Sequence, residues 1–151
     1  MNTNEEKTNN DKKKSKILVV DDHAIVRRGL SLLVNQENDL VVSAEAENAR
    51  QALQVIEESP VDLAIVDISL NNVNGIELTE KIKAKYPNLP VLILTMHDEA
   101  IYARRAFDAG AEGYVTKHEA AETIITAIRL MLAGKHYVSK SMAQKISKNN
   151  S

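Results

Sequence analysis

The sequence contains no cysteine. Without thiols, the chain can form neither a disulfide framework nor a thiolate metal site, and it offers no cysteine nucleophile or redox centre. It also lacks any apolar run near the roughly 20 residues that a membrane-spanning helix needs. Residues 1–16 are too polar to contain the apolar core of a signal peptide. These absences favour a cytoplasmic protein with no membrane partner.

The sequence has no strong excess of charge of either sign, because it contains 19 Lys and Arg residues and 21 Asp and Glu residues. A net charge of -2 provides no general attraction to nucleic acid. Hydrophobic residues make up 44% of the 151 positions, which is enough for one sizeable core. We expect a disordered polar tail over 1–15, one folded domain over 16–137, and a C-terminal linker or tail over 138–151.

A short apolar run followed by a longer segment of helical periodicity recurs five times in the folded part. The runs cover 16–21, 40–46, 62–67, 90–95 and 112–116. In the last helical segment, apolar residues such as Ile124 and Ile128 share one face, whereas Arg129 lies off it. Parallel strands need crossover connections, so this alternation predicts a mostly parallel sheet with helices on both faces.

Local signals mark some helix ends. Asn48 followed by Gln51 resembles a capping box at the start of the second helix. Gly110 and Gly134 fall where helix C-caps are expected.

Four of the predicted strands carry a polar side chain at or just beyond their carboxyl ends. These side chains are Asp21 and Asp22, Asp67, Thr95, and Lys117. Open α/β sheets bind their ligands in the crevice at this end. If the strand order is 2-1-3-4-5, the acids meet where the order reverses. The pattern therefore predicts a site for a divalent cation and a phosphoryl group.

The chemistry of such a site follows from its charges. Three clustered carboxylates repel one another unless a cation lies among them, and Mg²⁺ fits best because it binds carboxylate, water and phosphate oxygens. One carboxylate could then attack phosphorus to give an aspartyl phosphate. Asp67 is the best candidate, because it would lie between the metal-binding acids and the strands of Thr95 and Lys117.

Each of these residues also has an ordinary interpretation. An Asp-Asp pair is usually a turn or a helix cap, and Asp67 could cap the helix that follows it. Lys117 could be a solvated loop residue, and Thr95 could satisfy a backbone group at a strand end. Their joint occurrence at the ends of several strands favours the phosphoryl site.

Four ordered motifs resemble the receiver domain of two-component response regulators. They are VVDDH at 19–23, Asp67 followed by Gly75 and Glu77, LILT at 92–95, and GYVTK at 113–117. The resemblance spans roughly 16–137 and implies a flavodoxin-like (βα)5 fold, a doubly wound parallel five-stranded sheet of order 2-1-3-4-5. Segments 21–30 and 95–99 are similar in particular to the NarL/FixJ (LuxR-type) subfamily.

The resemblance implies a role for each motif residue. Asp67 would accept a phosphoryl group from a sensor histidine kinase. Asp22 and Asp67 would bind Mg²⁺ directly, Asp21 mainly through metal-bound water, and Ser69 through its backbone carbonyl.

Two further residues would respond to the phosphoryl group. Lys117 would pair with it and Thr95 would hydrogen-bond it, and Tyr114 would move inward as Thr95 is drawn toward the site. Phosphorylation would then switch the conformation and control homodimerisation or another output. On this interpretation the protein is a phosphoacceptor and not a turnover enzyme.

In the NarL/FixJ subfamily a receiver usually precedes a helix-turn-helix DNA-binding domain. No recognition helix or basic stripe follows Gly134, so we expect DNA contact only through a domain absent from these residues. A stand-alone receiver that acts by protein contact is one alternative. A magnesium-dependent phosphatase with an aspartate nucleophile is another, although such enzymes typically need a second acid where Ser69 stands.

Overall fold

The computed structural model describes residues 14–68 and 74–150, in which strands and helices alternate. The strands are β1 Ser15–Val20, β2 Leu40–Ala46, β3 Leu63–Asp67, β4 Val91–Thr95, β5 Gly113–Thr116 and β6 Tyr137–Val138. The helices are α1 Ala24–Asn35, α2 Ala49–Glu58, α3 Gly75–Lys85, α4 Ala100–Asp108, α5 Ala120–Leu132 and α6 Lys140–Asn150. Within these ranges, no helix combines the length and apolar character that crossing a membrane would require.

The strands form one parallel sheet in the order β2-β1-β3-β4-β5-β6. The predicted order 2-1-3-4-5 is confirmed, and the five predicted runs begin and end within one residue of the observed strands. β6 was not predicted. It extends the sheet beyond β5, where Val138 lies opposite Tyr114.

Two hydrophobic clusters lie on opposite faces of the sheet, because alternate residues of a strand point to opposite sides. Leu18 of β1 joins residues of α2, α3 and α4 in one cluster. Its neighbour Ile17 joins residues of α1 and α5 in the other. The amphipathic pattern predicted for α5 is confirmed, since Ile124 and Ile128 are fully buried and Arg129 is exposed. The predicted doubly wound architecture is therefore present.

The predicted helix caps are present as well. The Asn48 side chain accepts a hydrogen bond from the Gln51 amide at 2.9 Å, whereas the Gln51 side chain accepts one from the amide of Glu47. Gly110 and Gly134 have φ values of 107° and 86°, in the left-handed region that favours glycine. These turns end α4 and α5 and direct the chain into β5 and β6.

The ends of the chain differ in detail from the predicted tail and linker. Ser15 is the first residue of β1, and 1–13 lie outside the described residues. The segment expected to be a linker or tail, 138–151, contains the second residue of β6 and all of helix α6. Ser139 begins that helix by accepting a hydrogen bond from the Met142 amide at 3.1 Å. The division of the chain into domains stays a prediction.

Gly75 begins α3 in close contact with the end of β3. A Cβ atom at this position would clash with the carbonyl oxygen of Asp67 and lie 2.8 Å from the Cα of Ile68. At Gly29, in α1, a Cβ would meet no atom within 4 Å. These two glycines therefore form a matched pair for substitution.

We expect Gly75→Ala to lower the free energy of unfolding by about 1–3 kcal/mol, because α3 must shift away from β3. Gly29→Ala should instead raise it by about 0.5–1 kcal/mol, because alanine is the better helix former. Urea denaturation followed by circular dichroism measures both. Equal stability of Gly75→Ala and the parent would contradict the close approach.

Candidate functional site

The carboxylates of Asp21 and Asp67 converge at the carboxyl edge of the sheet. Asp21 directly follows β1 and its amide donates to the Ala46 carbonyl at 3.0 Å, whereas Asp67 is the last residue of β3. Because β1 and β3 are adjacent and parallel, both side chains reach the crevice where the strand order reverses. They are only 1% and 2% exposed. The fold thus places two carboxylates side by side and largely out of water.

Asp22 and His23 complete an acidic group at the same point. Ligand atoms of Asp21, Asp22, His23 and Asp67 all lie within 4.8 Å of one another. Asp22 is more accessible than Asp21, with 14% of its side chain exposed. The group therefore opens to solvent on the Asp22 side.

Lys117 provides positive charge on the other side of the acids. It follows β5, and its amide donates to the Thr95 carbonyl at 2.7 Å. Its Nζ lies 3.2 Å from Asp21 Oδ2 and 3.6 Å from Asp67 Oδ2, with 17% of the side chain exposed. One ammonium group thus bridges the carboxylates at the ends of two neighbouring strands.

His23 and Arg27 contribute contacts that the sequence did not indicate. The amide of His23 donates to Asp21 Oδ1 at 2.9 Å, and its ring Nδ1 lies 2.9 Å from Asp22 Oδ1. Arg27 donates to the backbone carbonyl of Asp21 at 2.6 Å. These contacts fix the orientation of Asp21, and only the adjacency of His23 to the acids in sequence hinted at them.

The donor set fits a hard divalent cation. Asp21 Oδ2 and Asp22 Oδ1 are buried and, among the described residues, accept no hydrogen bond of good geometry; Lys117 Nζ lies 3.2 Å from the first and the His23 ring Nδ1 lies 2.9 Å from the second. Buried carboxylate oxygens normally have hydrogen-bond or metal partners. Carboxylate oxygens with an open, solvated side are the ligands that Mg²⁺ prefers. The acidic cluster is therefore compatible with Mg²⁺.

Thr95 and Tyr114 bond the two backbone groups of one residue, His97. Thr95 is fully buried at the end of β4, and its Oγ1 accepts a hydrogen bond from the His97 amide at 3.1 Å. The Tyr114 hydroxyl donates to the His97 carbonyl at 2.6 Å. Burial, followed by the charges of Glu99 and Asp98, raises the pKa of Tyr114, so its hydroxyl stays protonated and can donate.

The structure brings most of the predicted site residues to one edge of the sheet. Asp21, Asp22, Asp67 and Lys117 form one group, and Thr95 and Tyr114 are linked through His97. Tyr114 is already 1% exposed, and its expected inward movement stays a prediction. Ser69 lies outside the described residues.

Comparison with known families gives the class of this protein. The family model of the response regulator receiver domain matches residues 17–129. The chain therefore belongs to the response regulator receiver family, as the motifs at its strand ends predicted.

Individual relatives place it more narrowly. Response regulator GacA of Pseudomonas syringae pv. syringae (strain B728a) is 33% identical over 132 residues, which are 87% of this chain and 62% of GacA. Oxygen regulatory protein NreC of Staphylococcus epidermidis (strain ATCC 35984) is 35% identical over 132 residues, 87% of this chain and 61% of NreC. The chain thus spans less than two thirds of the length of these relatives.

Solved structures agree with this placement. A LuxR-family two-component response regulator from Aurantimonas sp. SI85-9A1 superposes with a TM-score of 0.87 at 36% identity, covering 91% of this chain and 98% of that one. The RcsB response regulator of Salmonella typhimurium gives a TM-score of 0.85 at 25% identity, covering 89% of this chain and 70% of RcsB. The chain is a LuxR-type (NarL/FixJ-like) receiver, which confirms the predicted subfamily.

The bridge made by Lys117 predicts a measurable stability effect. We expect Lys117→Met to lower the free energy of unfolding by about 1–3 kcal/mol without divalent cations, because two buried carboxylates lose their neighbouring positive charge. Asp21→Asn added to that variant should restore part of the loss. Urea titrations in buffer with EDTA make the measurement.

Lys85→Met is the matched control, because the Lys85 ammonium is 61% exposed and lies 3.9 Å from Glu57. It should change stability by no more than about 0.5 kcal/mol. If Lys117→Met changed the free energy of unfolding as little as this control does, the bridge would make no measurable contribution to stability.

Proposed function

We propose that this receiver accepts a phosphoryl group on Asp67 in a Mg²⁺-dependent reaction and changes conformation in response. The observation that carries the proposal is the bridge of Lys117 between Asp21 and Asp67, beside an acidic cluster that fits Mg²⁺. Asp67 lies beside both Lys117 and the other acids, so one phosphoryl group bound to it could reach the ammonium group and a cation held by the acids.

The reaction requires only one bond exchange. A carboxylate oxygen of Asp67 attacks phosphorus, the P–O bond forms as the P–N bond of a phosphohistidine breaks, and the released imidazole takes a proton from water. Lys117, already within 3.6 Å of Asp67 Oδ2, would pair with the oxygens of the transferred group. Attack by water later breaks the acyl phosphate and returns the carboxylate.

The cation has a defined place in this proposal. Asp22 and Asp67 would bind Mg²⁺ directly and Asp21 through metal-bound water, with the Ser69 carbonyl as a further ligand from outside the described residues. Bound Mg²⁺ would neutralise the charge of the acids and of the phosphoryl oxygens. The buried Oδ2 of Asp21 and Oδ1 of Asp22 support this assignment.

Thr95 would report the arrival of the phosphoryl group. When its hydroxyl donates to a phosphoryl oxygen, it can keep accepting from the His97 amide only if that peptide moves with it. The Tyr114 hydrogen bond to the His97 carbonyl must then stretch or follow. Thr95 and Tyr114 would therefore convert a charge change at Asp67 into movement of the loop before α4.

The partners follow from the same chemistry. The phosphoryl donor would be a sensor histidine kinase in the cytoplasm. Ile25 and Leu32 are 83% and 68% exposed, and because they lie seven residues apart on α1 they share one face of that helix. We propose that these two side chains belong to the surface that the kinase contacts. Ile25 also lies close to the acids in sequence, which suits a kinase that must reach Asp67.

The output of the whole protein extends beyond these residues. One relative is named transcriptional regulatory protein DegU, and RcsB has been solved as a complex with DNA. We propose that the protein regulates transcription through a DNA-binding part outside this chain, with homodimerisation controlled by phosphorylation. Sequence-selective retardation of duplex DNA by these 151 residues alone would contradict the assignment of DNA binding to a part outside this chain.

Asp67→Asn should abolish labelling by radioactive acetyl phosphate while keeping the fold, because the amide is isosteric but a poor nucleophile. Asp62→Asn is the matched control, because Asp62 precedes the other end of β3 and accepts from the Lys16 amide. It should label like the parent. Labelling of Asp67→Asn at the parental level would require another acceptor.

A phosphatase that uses the same aspartate is distinguished by turnover. With p-nitrophenyl phosphate and Mg²⁺, we expect no sustained release of p-nitrophenol. Steady release of p-nitrophenol that is lost in Asp67→Asn would contradict the receiver function and show that the protein is a phosphatase.

Millimolar MgCl₂ should raise the melting temperature, because a ligand that binds only the folded state stabilises it. Asp22→Asn should remove most of that rise, since it deletes a proposed ligand. Asp108→Asn, at the exposed end of α4, should leave the rise intact. Differential scanning calorimetry measures all three proteins, and an equal rise in Asp22→Asn would contradict the assigned ligand.

A further inference from the structure

Helix α6 lies against α4 through a narrow apolar side. Met142 is 4% exposed and belongs to the hydrophobic cluster that contains Ala103 and Tyr114, and Ile146 packs against the same cluster. Met142 and Ile146 are one helical turn apart, so they share a face. The intervening Ala143, Gln144 and Lys145 are exposed. Among the described side chains of α6, Met142 and Ile146 make its apolar contact with the core.

A polar contact ties α6 to the loop that follows Thr95. Lys145 Nζ donates to the Asp98 carbonyl at 3.1 Å and lies 3.8 Å from the Asp98 carboxylate. The preceding carbonyl in that loop, on His97, accepts from the Tyr114 hydroxyl. Consecutive carbonyls of one loop are therefore held by β5 and by α6.

The docking of α6 is well suited to be reversible. An isolated helix of 11 residues is marginal in water, so α6 depends on its contact with α4. An open surface pocket of about 320 Å³ lies between Asp98, Glu99 and Ala100 on one side and Lys145 and Lys148 on the other, so solvent reaches this side of the contact. A small displacement of the loop that follows Thr95 can therefore weaken the docking of α6.

We infer that α6 is a strap that holds the 96–99 loop in its present position and is released when that loop moves. The hydrogen bond from Lys145 weakens steeply if the Asp98 carbonyl shifts. Because coupling between two sites is reciprocal, undocking α6 must also ease loop movement. The link to phosphorylation rests on the proposed function, whereas the link between strap and loop does not. Release exposes the side of α4 that Met142 and Ile146 cover.

The first experiment tests the strap and the loop without phosphorylation. Ile146→Asp should undock α6 and speed amide hydrogen exchange in residues 96–100 by at least about fivefold. Gln144→Asp adds the same charge to an exposed position of α6 and should leave exchange in the loop unchanged. Equal exchange in the loop for Ile146→Asp and the parent would overturn the inference.

The second experiment tests release on phosphorylation in the parent protein. With Mg²⁺ and acetyl phosphate, amides of 143–148 should exchange at least about fivefold faster, while those in the middle of α5 keep their rate. Mass spectrometry of the intact protein measures phosphoryl incorporation in the same sample. A fully phosphorylated protein with unchanged exchange in α6 would overturn the strap.

The absence of native cysteine allows an independent measurement. Met142→Cys should react slowly with a thiol reagent such as dithiobis(nitrobenzoate), and at least about fivefold faster after phosphorylation. Gln144→Cys should react quickly in both states, and Ala127→Cys, fully buried in α5, slowly in both. If the loop is freed by Ile146→Asp but no phosphoryl group is incorporated, the strap stands and the proposed function fails.

Discussion

The close approach of the buried carboxylates of Asp21 and Asp67 is the constraint on which the site depends. The fold imposes it, because the strands that end at these residues are neighbours where the strand order reverses. Two negative charges that are 1% and 2% exposed repel each other strongly in a medium of low dielectric. Lys117 opposes that repulsion from one side, and the open side next to Asp22 leaves room for a cation.

A short series of hydrogen bonds leads from Thr95, at the same edge of the sheet, to helix α6 on the surface. Thr95 lies one residue beyond the position paired with Asp67 in β4, and its hydroxyl holds the His97 amide. Tyr114 holds the carbonyl of the same residue, and Lys145 holds the next carbonyl, on Asp98. These contacts lie in series between Thr95 and α6. We propose that the acidic cluster works as a reversible switch. Its output is the position of the 96–99 loop, and both the cluster and helix α6 shift the equilibrium between positions of that loop.

Much of this arrangement could be predicted from the sequence. Buried parallel strands are continuous apolar runs, so the residue after each run, such as Asp21 or Thr95, could be placed at the carboxyl edge from its position alone. His23 was not assigned to the acids, because its ring contacts depend on rotamers that periodicity does not determine. Helix α6 was expected to be a linker or tail, since Met142 and Ile146 are too few to show a period. The contact of Lys145 with Asp98 spans 47 residues and has no local signal.

The most direct test of the phosphoacceptor is to trap the acyl phosphate and locate it. After reaction with acetyl phosphate and Mg²⁺, borohydride reduces an aspartyl phosphate to homoserine, which mass spectrometry of peptides can assign to a single residue. The proposed function predicts homoserine at position 67 and unmodified Asp21 and Asp22. Homoserine at either of those two residues, or none in a protein that has incorporated phosphate, would contradict it.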